Sequence, residues 1–355
     1  MLDFTSALYL GLRHPSWSLR PWDQLTAGRP ASLAVPASQA RVSEALAQLV
    51  GCERAVLGTS TLHVFWDVFG MLPEASVIYL DAGVYPVARW GIERAAARNV
   101  PIRTFRHYDD NALDDALRRG SNARSIPVVV ADGFCPGCGR SAPIKRYVEL
   151  VQRSGGMLIL DDTQALGIFG QRPELDAPYG RHGGGSLRFH AVSSAHVLLI
   201  SSLAKAFGAP LAMFAGTDAM VRTFEARSET RMHASPPSVA SLRAAERALE
   251  LNASHGDALR ARLAQLVCRL RRRLAEAGFR TLGGCFPVQT LRSGFDAEAL
   301  HQRLLQSGIR TVLHSARHSR AARMSWLITA RHTAGEIERA ADTIQKLGAI
   351  PRVAS

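Results

Sequence analysis

The sequence predicts an α/β protein, with a large domain built on a mostly parallel sheet flanked by helices and a smaller α+β domain at the carboxyl end. Short apolar runs alternate with stretches of helical periodicity over the first 245 residues, as in βαβ units. These runs lack apolar–polar alternation, which is typical of strands buried on both faces. After Pro236 and Pro237, long Arg- and Ala-rich helical patterns become dominant. Together the three observations favour one sheet domain followed by a smaller helical one.

The expected strands of the large domain are three to six residues long and rich in Val, Ile and Leu. They cover residues 55–57, 76–80, 102–105, 126–131, 157–160 and 197–201. Helices are expected at 38–50, where Val42, Ala45, Leu46 and Leu49 share one face, and at 143–153, which has a proline in its first turn.

The sequence pattern of the carboxyl-terminal region predicts long helices with only two short strands. Helices are expected at 238–251, 257–277, 297–307 and 333–347, with strands near 289–291 and 326–329. We divide the chain into an N-terminal segment, 1–29, that joins the small domain, a large domain, 30–245, and a small domain, 246–355.

Composition excludes several classes of protein. The chain has 355 residues, a net charge of +13 and five cysteines, too few for a disulfide scaffold. Each apolar run is interrupted well before the ~18 residues of a membrane span. The first residues show neither a basic region nor an apolar core, so no signal peptide is expected. These features favour a cytoplasmic protein.

Lysine is scarce, and this scarcity narrows the search for a reactive amine. Of 43 basic residues only Lys145, Lys205 and Lys346 are lysines, and arginine cannot act as a neutral amine. Lys145 and Lys346 fall on exposed positions of predicted helices. Lys205 instead follows the apolar strand 197–201, at the strand end where open α/β sheets bind ligands. Burial there would lower its pKa and make it a usable nucleophile.

A second strand also ends in ionisable residues. Residues 157–160 are followed by Asp161 and Asp162. Such acids often serve only as helix caps or solvated loop residues. Paired with Lys205, however, Asp161 suggests a pyridoxal phosphate site, which needs a lysine for the imine and an acid on the pyridinium nitrogen.

Several motifs resemble those of one family. Residues 202–208 read SLAKAFG, similar to the T-x-x-K-A-F-G motif of fold-type-I pyridoxal phosphate enzymes. Residues 161–170, DDTQALGIFG, resemble the D-D-x-H-x-x-G-x-x-G motif of the α-oxoamine synthases, and residues 2–12 resemble their N-terminal motif. Residues 132–133 and 141–143 resemble the family's E-G and A-P stretches. The resemblance runs in order over nearly the whole chain.

The resemblance implies a fold-type-I, aminotransferase-like fold, pyridoxal phosphate as cofactor, and roles for individual residues. Lys205 would bind the cofactor as the internal aldimine and later move the α-proton of the substrate. Asp161 would pair with the pyridine nitrogen. Tyr85 would stack on the cofactor ring, and Gln164 would contact the ring, both at positions where the family has histidine.

Further residues follow from the same resemblance. Ser202 would bind the cofactor phosphate, together with the backbone amides near Thr59 and Ser60 at a helix N-terminus. His233 would reach the phosphate in the neighbouring subunit of a homodimer with a shared active site. Arg323 would bind the substrate carboxylate, although Ser325 replaces the second arginine of the family's R-x-R.

Two hypotheses for a catalytic function follow, and a third is non-catalytic. The first is decarboxylative condensation of an amino acid with an acyl thioester, carried by coenzyme A or by an acyl carrier protein. The second is an aminotransferase of a biosynthetic pathway. The third is a non-catalytic partner subunit, disfavoured by retention of Lys205 and Asp161.

The net positive charge and the C-x-x-C pair do not change these hypotheses. The positive charge is attributed to Arg-biased composition rather than nucleic-acid binding, and it would also favour the approach of anionic substrates. Cys135 and Cys138 form a C-x-x-C with no second pair and no nearby histidine at ligand spacing, and HExxH is absent, so no metal site is predicted. A local disulfide between the two cysteines stays open.

Overall fold

The protein is described by a computed structural model that covers residues 1–33, 35–120, 124–292, 294–314 and 322–348. The strands are β1 (Leu2–Asp3), β2 (Arg54–Gly58), β3 (Ser76–Asp81), β4 (Ile102–Phe105), β5 (Ile126–Asp132), β6 (Phe134–Cys135), β7 (Arg140–Ser141), β8 (Met157–Asp161), β9 (Val197–Ser202), β10 (Ala212–Gly216), β11 (Thr281–Leu282), β12 (Val288–Leu291), β13 (Ile309–Arg310), β14 (Val312–His314) and β15 (Arg323–Leu327). The helices are α1 (Ala37–Val50), α2 (Thr61–Gly70), α3 (Pro86–Ala97), α4 (Asp110–Gly120), α5 (Ile144–Arg153), α6 (Gly185–Phe189), α7 (Asp218–Arg227), α8 (Glu229–His233), α9 (Val239–Glu276), α10 (Ala297–Gln306) and α11 (Ala334–Leu347). Across these described ranges, none of the helices combines the length and apolarity needed to span a bilayer.

Seven strands form the central sheet, in the order β2-β10-β9-β8-β5-β3-β4. The strands from β9 to β4 run parallel, whereas β10 is antiparallel to both of its neighbours. All six strands predicted for this domain are present, each to within one residue at either end. The prediction missed β10, in which three of five residues are Ala or Gly, types with low strand propensity.

Both faces of the sheet are buried, which confirms the predicted fold class. Along β5, Val129 and Ala131 enter one apolar core, with residues of α1, α4 and α5, while Val128 and Val130 enter the other, with residues of α2, α3 and α7. Because successive side chains of a strand point to opposite faces, a strand covered on both sides needs apolar residues at every position.

The carboxyl-terminal region begins within one long helix. Two helices were predicted at 238–251 and 257–277, but α9 is continuous from Val239 to Glu276, so the predicted break is wrong. Gly256 lies inside it, where a Cβ atom would approach Arg260 Nη2 to 2.7 Å. The glycine thus leaves room for a buried arginine without ending the helix. The predicted boundary at residue 245 falls within α9, and the domain division stays a prediction.

A four-stranded antiparallel sheet, ordered β11-β12-β15-β14, packs with α10 and α11 beyond this helix. The strand predicted at 326–329 is displaced, since β15 covers Arg323–Leu327. The N-terminal segment lies against this region: β1 pairs in parallel with β13, and the Phe4 ring lies 5.0 Å from Trp326 and 4.5 Å from His332.

Arg260 links α9 to the loop that follows β8. Its side chain is 2 % exposed and donates hydrogen bonds to the Gly167 carbonyl at 2.8 Å, Asn252 Oδ1 at 2.8 Å and Asp257 Oδ1 at 2.7 Å. We expect Arg260→Ala to lower the free energy of unfolding by about 2–3 kcal/mol, because buried acceptors lose their donor and a cavity remains. Urea denaturation measures the change.

Arg269→Ala is the matched control on the same helix. Arg269 pairs with Glu338 at 3.0 Å, but its side chain is 42 % exposed, so its loss should cost less than about 1 kcal/mol. Equal destabilisation by the two substitutions would contradict a structural role for Arg260.

Candidate active site

Ionisable side chains meet at the carboxyl ends of the central strands. Asp132 ends β5 and Asp161 ends β8, and the two are direct neighbours in the strand register. Asp161 in turn pairs with Ile200 of β9, and Lys205 follows that strand by three residues. The parallel register therefore brings Lys205, Asp161 and Asp132 to one edge of the sheet, where such folds bind ligands.

Lys205 is half-buried in this edge. Its ammonium nitrogen Nζ lies 5.6 Å from the centroid of the Tyr85 ring. Burial lowers the pKa of Lys205, and the nearby carboxylates of Asp161 and Asp132 partly oppose this effect. A lysine with a lowered pKa provides more neutral amine at neutral pH than an exposed one.

Asp161 is a buried carboxyl group. The Thr163 backbone N–H donates to its Oδ1 at 3.0 Å, and the charge of Lys205 also favours its ionised form. Burial nevertheless outweighs these contacts and raises the pKa of Asp161. A further cation beside this oxygen would stabilise the carboxylate, and a protonated pyridine nitrogen is such a group.

Asp132 was not among the predicted site residues, yet it organises the site. Its carboxylate accepts a hydrogen bond from the Tyr85 backbone N–H at 3.1 Å, and so holds the start of α3. Burial, and then the charge of Asp161, raise the pKa of Asp132 well above its usual range. The sequence does contain a signal for Asp132: it directly follows the apolar run 126–131, just as Asp161 follows the run 157–160.

Hydroxyl groups and a helix N-terminus lie along the same edge. Ser60 caps α2 and accepts a hydrogen bond from the His63 backbone N–H at 3.4 Å, and Thr59 precedes it. Gly58 and Ser202 both pair with Ala212 of β10, so they are separated by two strand spacings, about 10 Å. The amides that begin α2 and the Ser202 hydroxyl therefore flank one region, suited to a phosphate group.

Gln164 connects the site to the N-terminal segment. Its Oε1 accepts a hydrogen bond from the buried Tyr9 hydroxyl at 2.8 Å. Burial raises the pKa of Tyr9, so this phenol stays a neutral donor. Gln164 follows Asp161 by three residues and has no group that titrates near neutral pH.

The remaining predicted residues lie elsewhere in the chain. His233 is exposed at the end of α8, and Arg323 is exposed at the start of β15. Ser325, two residues further on, is buried, and its Oγ lies 2.7 Å from Thr290 Oγ1 and 2.8 Å from His314 Nε2. Ser325 thus belongs to a buried polar network within the four-stranded sheet. The roles of His233 and Arg323 stay predictions.

The donor set fits pyridoxal phosphate. Lys205 supplies an amine of lowered pKa, Asp161 a buried carboxyl group that lacks full charge compensation, and α2 an anion-binding N-terminus. The Tyr85 ring faces the amine and can cover a planar ring. The fold and this site define a pyridoxal phosphate-dependent enzyme of fold type I.

Comparison with known proteins gives the family. The sequence model of the aminotransferase class I and II family matches residues 2–344, and the chain belongs to this family. It is 27% identical over 303 residues to the 8-amino-7-oxononanoate synthase of Thioalkalivibrio sulfidiphilus, which covers 84% of this chain and 69% of that protein. With the enzyme of the same name from Aromatoleum aromaticum, the identity is 28% over 316 residues, covering 86% and 76%.

A solved structure supports the same fold. Serine palmitoyltransferase of Sphingomonas wittichii superposes with a TM-score of 0.85 over 97% of this chain and 86% of that chain, at 18% sequence identity. The predicted fold and cofactor class are confirmed by these comparisons together.

Proposed function

We propose that this chain condenses an amino acid with an acyl thioester, with loss of carbon dioxide. The convergence of Lys205 and Asp161 at one sheet edge carries the proposal, because the pair supplies an amine and a buried acid where the cofactor binds. The similarity to 8-amino-7-oxononanoate synthases supports this reaction class.

The reaction forms a bond between the α-carbon of the amino acid and the carbonyl carbon of the thioester. The thiol leaves as one product, and the carboxyl group leaves as carbon dioxide. Pyridoxal phosphate, when bound, supplies an electron sink for negative charge at the α-carbon. Lys205 removes the proton at that carbon, and Arg323 binds the substrate carboxylate. The Asp161 carboxylate stabilises the protonated form of the ring nitrogen.

The acyl donor is proposed to be carried by coenzyme A or by an acyl carrier protein. Both carriers are strongly anionic, and the net charge of +13 favours their approach. The decisive experiment is a screen in two stages: amino acids are tested for shifts in the cofactor absorbance, and acyl thioesters are then tested for release of carboxyl-labelled carbon dioxide. Failure of every thioester to release label would contradict condensation.

An aminotransferase is the second candidate, favoured by Gln164, which lacks the titratable ring that the resemblance implies at this position. The two reactions differ when an amino acid is supplied alone. Conversion to a stable pyridoxamine absorbance, with release of the keto acid, would identify an aminotransferase and contradict the synthase proposal. Absence of cofactor absorbance after reconstitution would favour a non-catalytic partner subunit.

We propose a homodimer in which His233 reaches the phosphate site of the partner. In the single chain, Trp66 on α2 and Trp90 on α3 expose about half of their surface, and large exposed aromatic side chains mark interfaces. Sedimentation of the cofactor-loaded protein tests this, and a fully active monomer would contradict it.

We also propose a cytoplasmic location, because the five cysteines are all free thiols.

Tyr85 is expected to contribute to cofactor affinity through its ring. Tyr85→Ala should weaken binding of pyridoxal phosphate by about 3- to 10-fold, since stacking contributes about 0.5–1.5 kcal/mol. Tyr85→Phe keeps the ring and should stay within about 2-fold of the parent. Titration of the cofactor-free protein measures both, and equal loss in the two variants would assign the effect to the hydroxyl instead.

A further inference from the structure

A cysteine–histidine cluster lies beside the active site. His107, Cys135 and Cys138 each present one ligand atom, and these atoms all lie within 4.8 Å of one another. His107 Nε2 is 3.3 Å from Cys138 Sγ. The cysteines belong to the β6–β7 hairpin, and His107 follows β4, so the fold unites two segments that the sequence separates by about 30 residues.

The hairpin turn brings the two sulfur atoms close together. The Cys138 Sγ lies 3.8 Å from the Cys135 carbonyl oxygen. Gly139 closes the turn with φ of 72° and an N–H bond of 2.8 Å to the Cys135 carbonyl. The turn thus places both sulfur atoms within 4.8 Å of each other and of the His107 ring nitrogen, and cysteine sulfur is a preferred zinc ligand.

His107 is oriented by a buried acid. Its Nδ1 lies 2.6 Å from Oδ1 of the fully buried Asp81, whose other oxygen accepts from the Tyr108 N–H at 2.9 Å. With Nδ1 held by this carboxyl group, the ring directs Nε2 at the Cys138 sulfur. Metal-bound histidines are held in this way by a carboxylate on the other ring nitrogen.

We propose that Cys135, Cys138 and His107 bind a zinc-type divalent ion, with a fourth position open to water. Zinc favours tetrahedral coordination by thiolate and imidazole, with bonds of about 2.3 and 2.0–2.1 Å. A tetrahedral site with these bonds separates nitrogen from sulfur by about 3.6 Å, close to the 3.3 Å between His107 and Cys138. The Cys₂His set with one open position is a known donor set for zinc.

The bound ion would act as a positioning element for the active site. The His107 ring stacks on Tyr108 with centroids 3.8 Å apart, and the Tyr108 hydroxyl donates to the Asp132 carbonyl at 2.8 Å. Asp132 in turn holds the Tyr85 backbone. On its other side the hairpin packs against the small domain, because a Cβ on Gly139 would approach Gly283 N to 2.3 Å. The ion would therefore fix a hairpin between the two regions that meet at the active site.

A reversible disulfide is the competing use of the same cysteines. Redox-active C-x-x-C pairs have their nucleophilic thiol at a helix N-terminus, whereas Cys135 and Cys138 lie in a β-hairpin. A simple disulfide would also make no use of His107 or of Asp81, the buried acid that orients it. The geometry thus favours a metal site, and the test below separates the two.

Cobalt(II) is the probe, because its thiolate complexes absorb strongly and its tetrahedral d–d bands lie apart from cofactor absorbance. The cofactor-loaded protein is freed of metal under reducing, anaerobic conditions and titrated with Co²⁺. We expect one equivalent to bind per chain with thiolate charge-transfer and tetrahedral bands, and one equivalent of Zn²⁺ to displace it. Metal analysis of protein purified without chelator should give about one zinc per chain.

Variants locate the site. Cys138→Ser and His107→Ala should each lower Co²⁺ affinity at least 100-fold, and Asp81→Asn by about 10- to 100-fold. Cys268→Ser, which removes an exposed cysteine outside the cluster, should leave the titration unchanged. Retention of the cofactor spectrum shows that a variant is folded, and Cys135→Ser provides a second test of the pair if Cys138→Ser unfolds.

Three results would overturn the proposal: binding without thiolate charge-transfer bands, equal loss of affinity in Cys268→Ser, or recovery of Cys135 and Cys138 as a disulfide in protein purified without reductant. The metal titration does not depend on catalytic turnover, so its outcome is independent of the condensation reaction.

Discussion

Lys205→Ala should abolish covalent binding of pyridoxal phosphate and lower turnover by at least about 10³-fold. Proton transfer by a positioned group contributes about 10²–10⁴-fold in rate, and this variant also loses the covalent link that holds the cofactor. Borohydride reduction followed by mass spectrometry should find the cofactor on Lys205 in the parent protein and on no lysine in the variant.

Lys145→Ala is the control, because Lys145 is exposed on α5. It should retain the adduct and at least about half of the parent activity. Undiminished turnover in Lys205→Ala, or an adduct found on Lys145 or Lys346, would show that the reactive amine had been wrongly assigned.

The placement of Lys205 and Asp161 at one edge of the sheet could be predicted because buried strands are visible in the sequence. Lys205 and Asp161 each stand just beyond a continuous apolar run, and the run itself marks where the chain leaves the core. Parallel strands place such positions on one edge. The prediction needed no knowledge of contacts between distant segments.

Contacts between distant segments of the chain could not be predicted in this way. Gln164 meets Tyr9 across 155 positions, and Asp132 meets the Tyr85 backbone across 47. Each contact depends on how a loop or the N-terminal segment packs on the finished sheet, which local periodicity does not encode. The approach of His107 to Cys138 is hidden for the same reason, because 31 positions of sequence separate the two residues.

The wrongly predicted break in α9 is explained by Gly256. A glycine within a helical pattern has low helix propensity, and Gly256 lies between the two predicted helices. Its neighbour in space is Arg260, whose guanidinium reaches the carbonyl of Gly167 in the loop after Asp161. The residue that weakens the helical pattern is therefore the one that lets the long helix contact the active-site loop.

Asp161→Asn should lower turnover by about 10²–10³-fold while leaving the cofactor bound to Lys205. The amide keeps the shape of the side chain, but it cannot carry the negative charge that stabilises a protonated pyridine nitrogen in a buried site. Burial raises the pKa of Asp161 in the protein alone, so the carboxylate gains stability when a cation lies beside it. The visible spectrum should shift, because the ring nitrogen loses its proton.

Asp162→Asn is a close match for this variant, since Asp162 is adjacent and also buried. Its Oδ2 accepts from the Ser186 backbone N–H at 2.9 Å, and burial raises its pKa to about 7. An amide oxygen can accept the same bond, so turnover should change by less than about 5-fold. If Asp162→Asn abolished turnover and Asp161→Asn did not, the acid that pairs with the cofactor ring would be Asp162. Similar losses in both would instead indicate a general effect of buried charge at the end of β8, because only one of the two carboxylates can lie beside the ring nitrogen.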